Sequence, residues 1–144
     1  MKLSLAVRTV SGADATAGWE IRTGATPGRV KVHEIGFFLA AATASTIGLG
    51  RPAAVGDTPT TPVDFQPEDP NDVLATGTIQ SALAWATGPT VPANLIRRIS
   101  LPATIGTGVI WTFPEGLVIP VSGSLVLWNL AINSVLDAYA VVSI

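Results

Sequence analysis

The sequence predicts an all-β domain, a sandwich or a barrel, and three observations carry the prediction. Short runs of alternating or β-rich residues recur about nine times along the 144 residues. Fourteen glycines and eleven prolines punctuate those runs where turns are needed. Helical periodicity is nearly absent: in "EDPNDVLATGTIQSALAWA", Asp69 or Asn71 is placed to cap a short helical turn, but Gly77 interrupts anything longer. The length fits one domain, residues 1–144, with residues 1–16 as an N-terminal strand or arm.

Taken in order, "LSLAVRTV" (Leu3 to Val10) is the first strand. It imitates a signal peptide, with Lys2 before an apolar run, but Arg8 breaks the run after five residues, short of the roughly 7–15 that such a segment needs. "GWEIRT" and "RVKVHEIGFFLA" follow, separated by the turn-forming "GATPG". Within Val30–Ile35 the polar residues do not hold period two, which predicts a bulge or an edge position. "GDTPTTPVDFQPEDP" (Gly56 to Pro70) has four prolines and no periodicity and reads as one long loop. "TIQSALAW", "NLIRRISL", "GVIWTF", "GLVIPV", "SLVLWNL" and "VLDAYAVVSI" complete the strands.

"GLVIPVSGSLVLWNL" (Gly116 to Leu130) is two apolar strands hinged on Pro120-Val121-Ser122-Gly123, without one charged side chain. Proline cannot donate to a ladder, so Pro120 ends a strand, and Gly123 is available for positive φ at the turn. In "SLVLWNL", Leu125, Leu127 and Asn129 alternate with Val126, Trp128 and Leu130, so both faces are largely apolar. Such a strand is covered on both sides. One side meets the core; the other must meet an overlying loop or a neighbouring chain, and the same is expected of "AYAVVSI".

Only 12% of residues are charged, against roughly 25% in ordinary soluble domains, with a net charge of −2 and a mean hydropathy of +0.49. A shortage of surface charge suggests surface covered by other protein chains. Charge is also segregated. Residues 1–51 hold six of the eight basic residues; residues 52–96 hold none but carry Asp57, Asp64, Glu68, Asp69 and Asp72; residues 99–144 hold only Glu115 and Asp137. No run reaches the about 20 apolar residues of a spanning helix, the best being Ile35 to Leu49, so no membrane partner is expected. With a pI of about 5.1 and a single adjacent basic pair, Arg97-Arg98, no nucleic-acid partner is expected either.

Catalytic and metal signatures are thin. In an extended strand His33 and Glu34 point to opposite faces and cannot form one pair. There is no cysteine, hence no thiolate chemistry and no disulfide. Glu68, Asp69 and Asp72 are the one carboxylate cluster that a hard cation such as Ca²⁺ would take, but they lack the spacing of a calcium loop. No metal, cofactor or catalytic residue is otherwise expected. Trp19, Trp85, Trp111 and Trp128 serve as core or interface anchors, with a sugar-stacking platform as the rival use. In a strand, Arg97 and Arg98 fall on opposite faces, and one is expected to pair with an acid inside an interface.

"EIGFFLAAATASTIGLGRPAAVG", "LAWATGPTVP", "RRISLPATIG" and "GVIWTFPEGLVIPVSGSLVLWNL", over about residues 30–143, resemble small jelly-roll proteins of tailed-phage virions in texture and run order. The resemblance implies a single β-sandwich of jelly-roll type, about eight strands with one long proline-rich loop. It implies a structural virion protein: a capsid decoration (cement) protein, a homo-oligomer with a trimer favoured, bound to the major capsid protein lattice on the phage head. No catalytic residue is carried over. The expected seam lies in the charge-poor C-terminal third, on Trp111, Leu127, Trp128 and Tyr139, with Arg97 and Arg98. Two alternatives differ in class: a receptor- or glycan-binding module of a tail fibre or spike, and a cupin-type enzyme, which a single histidine disfavours.

Overall fold

The computed structural model describes residues 1–13, 15–25, 29–131 and 134–144. Among them are thirteen strands and no helix, all paired antiparallel. Eight have five or more residues: β1 (Lys2–Arg8), β2 (Thr16–Thr23), β3 (Val30–Leu39), β4 (Ser45–Gly50), β10 (Arg97–Leu101), β11 (Gly108–Ile119), β12 (Ser124–Ala131) and β13 (Leu136–Ser143). The short ones are β5 (Asp57–Pro59), β6 (Val63–Asp64), β7 (Gln66–Pro67), β8 (Ile79–Ala82) and β9 (Trp85–Thr87). Part of the turn expected in "GATPG", residues 26–28, lies outside the described residues.

Two sheets form a β-sandwich. One has the order β11-β3-β13-β1-β7, the other β10-β4-β12-β2-β8-β6, and β5 and β9 make a separate small ribbon. The long strands pair in nested fashion: β1 with β13, β2 with β12, β3 with β11, β4 with β10. The chain is thus one antiparallel ribbon of two arms, residues 1–50 and 97–144, wound so that successive pairs fall in opposite sheets. Residues 51–96 are the excursion between the arms.

Alternation puts the apolar side chains inside. Leu136, Ala138, Ala140 and Val142 of β13 face Ile47 and Leu49 of β4 and Leu125 and Leu127 of β12 in one core cluster, with Phe37 and Trp19 as its largest members. Phe65, from the middle of the expected loop, is only 1% exposed and closes the side of the core between β6 and β7. That loop is therefore three short strands: β6 extends one sheet, β7 the other, and β5 pairs with β9.

Other expectations need correction. "GVIWTF" and "GLVIPV" are one strand, β11, whose register with β3 shifts between Thr112 and Leu117. Four residues, 113–116, there stand opposite His33 alone, and Gly116 takes φ 77°, a conformation open to glycine. At the turn after β11, Ser122 adopts the positive φ (50°), while Gly123 is needed for space, since a Cβ there would lie 2.6 Å from Pro120 Cγ. The capped helical turn at Asp69–Asn71 is a reverse turn closed by Asp72 N–H donating to the Asp69 carbonyl. "STIGLG" is a strand, β4, that alternation did not reveal because both of its faces are buried.

Candidate functional site

The outer face of the six-stranded sheet is covered by the chain itself. Pro92, Asn94 and Leu95 lie over Gly48 and Gly50, where added Cβ atoms would meet Leu95 at 2.8 and 3.1 Å. Beside them Trp128, fully buried, donates its indole N–H to the Gly50 carbonyl at 3.3 Å. Further along, the Glu20 carboxylate is completely buried and accepts four hydrogen bonds: from Arg22 (2.9 Å), Gly56 N–H (3.0 Å), Trp85 Nε1 (3.0 Å) and Ser124 Oγ (2.9 Å). Arg22 also donates to the Gly56 carbonyl. A buried carboxylate is tolerated when it is paired and its lone pairs are filled. Here it fastens Gly56 and Trp85, both from the excursion, to β2 and β12. Composition flagged none of this, since Glu20 stands in "GWEIRT" as an ordinary polar alternate.

The five-stranded sheet is different: its outer face carries no overlying segment among the described residues, and the pocket of about 540 Å³ there collects Met1, Lys2, His33, Glu34, Glu68, Val141 and Ser143. His33 and Glu34 both line it, contrary to the expectation that they point apart. The cause is the bulge: Glu34 pairs with Val141 and Val32 with Val142, leaving His33 as the extra residue. His33 Nε2 lies 2.7 Å from Ser143 Oγ, and the Tyr139 hydroxyl donates to Glu34. That hydrogen bond, with burial and the carboxylate charge behind it, pushes the Tyr139 phenol up to about 12. A Ser–His contact becomes a nucleophile–base pair when a carboxylate holds the imidazole. Glu34, the adjacent carboxylate, is engaged by Tyr139 instead.

Nearby, Arg8 and Asp137 form a two-pronged exposed ion pair at 2.7 and 2.8 Å across β1 and β13. The hydrogen bond to Arg8 holds the Asp137 carboxyl below the ordinary carboxylate range, and the same bond raises Arg8.

The expected seam residues do not assemble into one patch. Leu127 belongs to the core and Trp128 to the covered face, so the chain itself buries both. Trp111 packs inward, edge-on to Phe37 with ring centroids 4.9 Å apart. Tyr139 lies over Gly36 on the open outer face, where an added Cβ would come within 2.3 Å of its ring. On the outer side of β13 Asp137 is exposed and Tyr139, Val141 and Ser143 are half-buried, so within the chain no loop among the described residues gives "AYAVVSI" the second cover expected of it. Arg97 and Arg98 sit on the edge strand β10, on opposite faces as alternation requires; both are exposed and neither contacts an acid among the described residues. The Arg97 guanidinium instead stands 5.2 Å from the centroid of the Phe113 ring.

The four tryptophans form no platform. Trp19 is buried and donates to Ser81 Oγ at 2.7 Å, Trp128 is buried, and Trp85 is tied to Glu20. Glu68, Asp69 and Asp72 do not converge on a cation site. Glu68 faces Lys2 at 3.9 Å, Asp69 accepts from the backbone and side chain of Asn71, and no three His, Cys, Asp or Glu gather among the described residues. No helix among the described residues is long and apolar enough to cross a membrane.

Comparison with known protein families, with curated proteins and with solved structures returned no match.

Proposed function

We propose that the chain is a jelly-roll structural protein of a tailed-phage virion, a decoration protein that self-associates, with a trimer favoured, and reinforces the shell of the major capsid protein. The observation that carries this is the nested pairing of eight long strands across two sheets. A two-armed ribbon wound this way supports the jelly-roll reading, an arrangement that serves capsid and lectin domains and cupins. The resemblance of its apolar runs to phage jelly-roll proteins selects the capsid role. A charge-poor sequence and a Ser–His contact that Glu34 does not support fit a binding role better than a catalytic one. The burial of Trp19 and Trp128 weighs against a glycan-stacking module.

The test is co-sedimentation of the purified protein with shells assembled from the capsid protein alone. Saturable binding at a fixed ratio to shell subunits, with a raised melting temperature of the shell, is the expected result. Absence of binding to expanded and unexpanded shells would overturn the assignment.

A further inference from the structure

The two lateral edges of the sandwich carry opposite charge. At one edge β10 and β11 are the last strands of their sheets, held together by Arg97 over Phe113. Arg97 and Arg98 are exposed there, and Arg51 joins them by donating to the Val118 carbonyl of β11 at 2.8 Å. The one acid among these residues is Glu115, and Arg97 and Glu115 both line an open pocket of about 240 Å³ with Phe113 and Pro114. At the opposite edge β6 and β7 are the last strands. Asp64 lies in β6, and Glu68, Asp69 and Asp72 follow β7, all three exposed, with Lys2 the one base in contact. Exposed apolar side chains accompany both edges: Ile110 at 49% on the basic one, Val63 at 52% and Val73 at 86% on the acidic one.

We infer that copies of this chain associate head to tail, the Arg97–Arg98 edge of one seated against the Asp69–Val73 edge of the next. This seam rests on the self-associating function proposed above. Two like edges would bring arginines against arginines, so a two-fold pairing through either edge is disfavoured, while unlike edges attract. A contact between two different patches repeats in one rotational sense; it closes into a ring, a trimer included, when the rotation divides the circle and otherwise runs on as an open filament. Arginine suits such a contact. Arg98 has no acid partner within the chain among the described residues, and guanidinium recognises carboxylates in a fixed geometry. Apolar residues beside the charges supply the buried area, and the charges set the register.

The experiment is native mass by light scattering at low micromolar concentration on the full chain and on charge-reversed forms. Arg98→Glu and Asp72→Lys each change a side chain with no hydrogen-bond or ion-pair partner among the described residues, so both are expected to keep the parent circular dichroism and melting temperature. Each weakens association by about a hundredfold, as a misplaced like charge does. The chain carrying both changes, with the signs of this one facing pair exchanged, recovers the parent oligomer. Arg97→Glu with Asp69→Lys repeats the test at the neighbouring pair. A monomeric parent chain, or single variants that keep the parent mass, would overturn the inference. A monomeric parent that still saturates capsid shells would overturn the seam and leave the decoration role standing.

Discussion

The indole N–H of Trp85 donates to the buried carboxylate of Glu20 at 3.0 Å, across 65 residues of sequence, and in doing so closes the excursion over the outer face of the six-stranded sheet. Gly56 is caught between them: a Cβ on it would lie 2.3 Å from Trp85 Cδ1 and 3.0 Å from Glu20 Oε1. Removing the carboxylate takes the acceptor from the buried Ser124 hydroxyl and from the N–H groups of Gly56 and Trp85, and leaves Arg22 with the Gly56 carbonyl alone. Glu20→Ala is therefore expected to cost about 3–5 kcal/mol in urea unfolding. It also red-shifts the tryptophan fluorescence as Trp85 is released. An unchanged unfolding midpoint and spectrum would show that the excursion is held by other contacts.

Trp128 is fully buried beneath the chain's own residues. Trp128→Ala should lower stability by about 3–5 kcal/mol, the usual cost of emptying a large core site. The loss appears in unfolding midpoints at protein concentrations far below any association. If the variant were as stable as the parent when dilute and differed only in oligomer content, Trp128 would belong to an intermolecular seam after all.

Tyr139 is the one tyrosine in the chain, so its ionisation is read without overlap. Phenolate absorbance should titrate near 12, held up first by the hydrogen bond to Glu34. Because the folded value lies above the ordinary 10.0, the stability this contact provides is present in full below pH 10 and is lost as the pH rises through about 12. Glu34→Gln should move the midpoint back toward the ordinary value. A midpoint near 10 in the parent protein would show that the hydrogen bond does not persist in solution.

Asp137 shifts in the opposite direction. Its carboxyl is held below the ordinary range by Arg8, so the contribution of this pair is present above that range and disappears as the pH falls through the lowered midpoint. Carboxyl chemical shifts should show the low midpoint, and Arg8→Ala should restore it. Both side chains are exposed, so stability itself should change little. An Asp137 midpoint indifferent to Arg8 would mean that the ion pair is transient.

Gly108 opens β11 against β3, and a Cβ there would come within 2.0 Å of the Phe37 carbonyl oxygen and 2.7 Å of Phe38 Cα. Backbone cannot step aside as a side chain can, so Gly108→Ala should cost about 1–3 kcal/mol or more. Hydrogen exchange should quicken in β11 ahead of the other strands. Parent-like protection of β11 would show that the two strands can separate without loss.

The sequence by itself determined the all-β class and most of the strands, because side chains alternate in period two and glycine and proline mark the turns. It also determined that "SLVLWNL" is covered on both faces, since Val126 and Trp128 leave no polar side. What covers it was decided only by tertiary structure. An overlying loop and a neighbouring chain ask the same of a strand, and only the path of residues 51–96 distinguishes them. The bulge at His33 shows the same limit, since broken alternation signals an extra residue but only the shifted register with Val141 and Val142 turns His33 and Glu34 to one face. The separation of Arg97–Arg98 from Asp69–Asp72 onto opposite edges is likewise a property of strand order. Strand order is fixed by nested pairings between residues far apart in the chain, from Leu49 with Arg97 to Lys2 with Ser143, and local pattern carries no record of such distances.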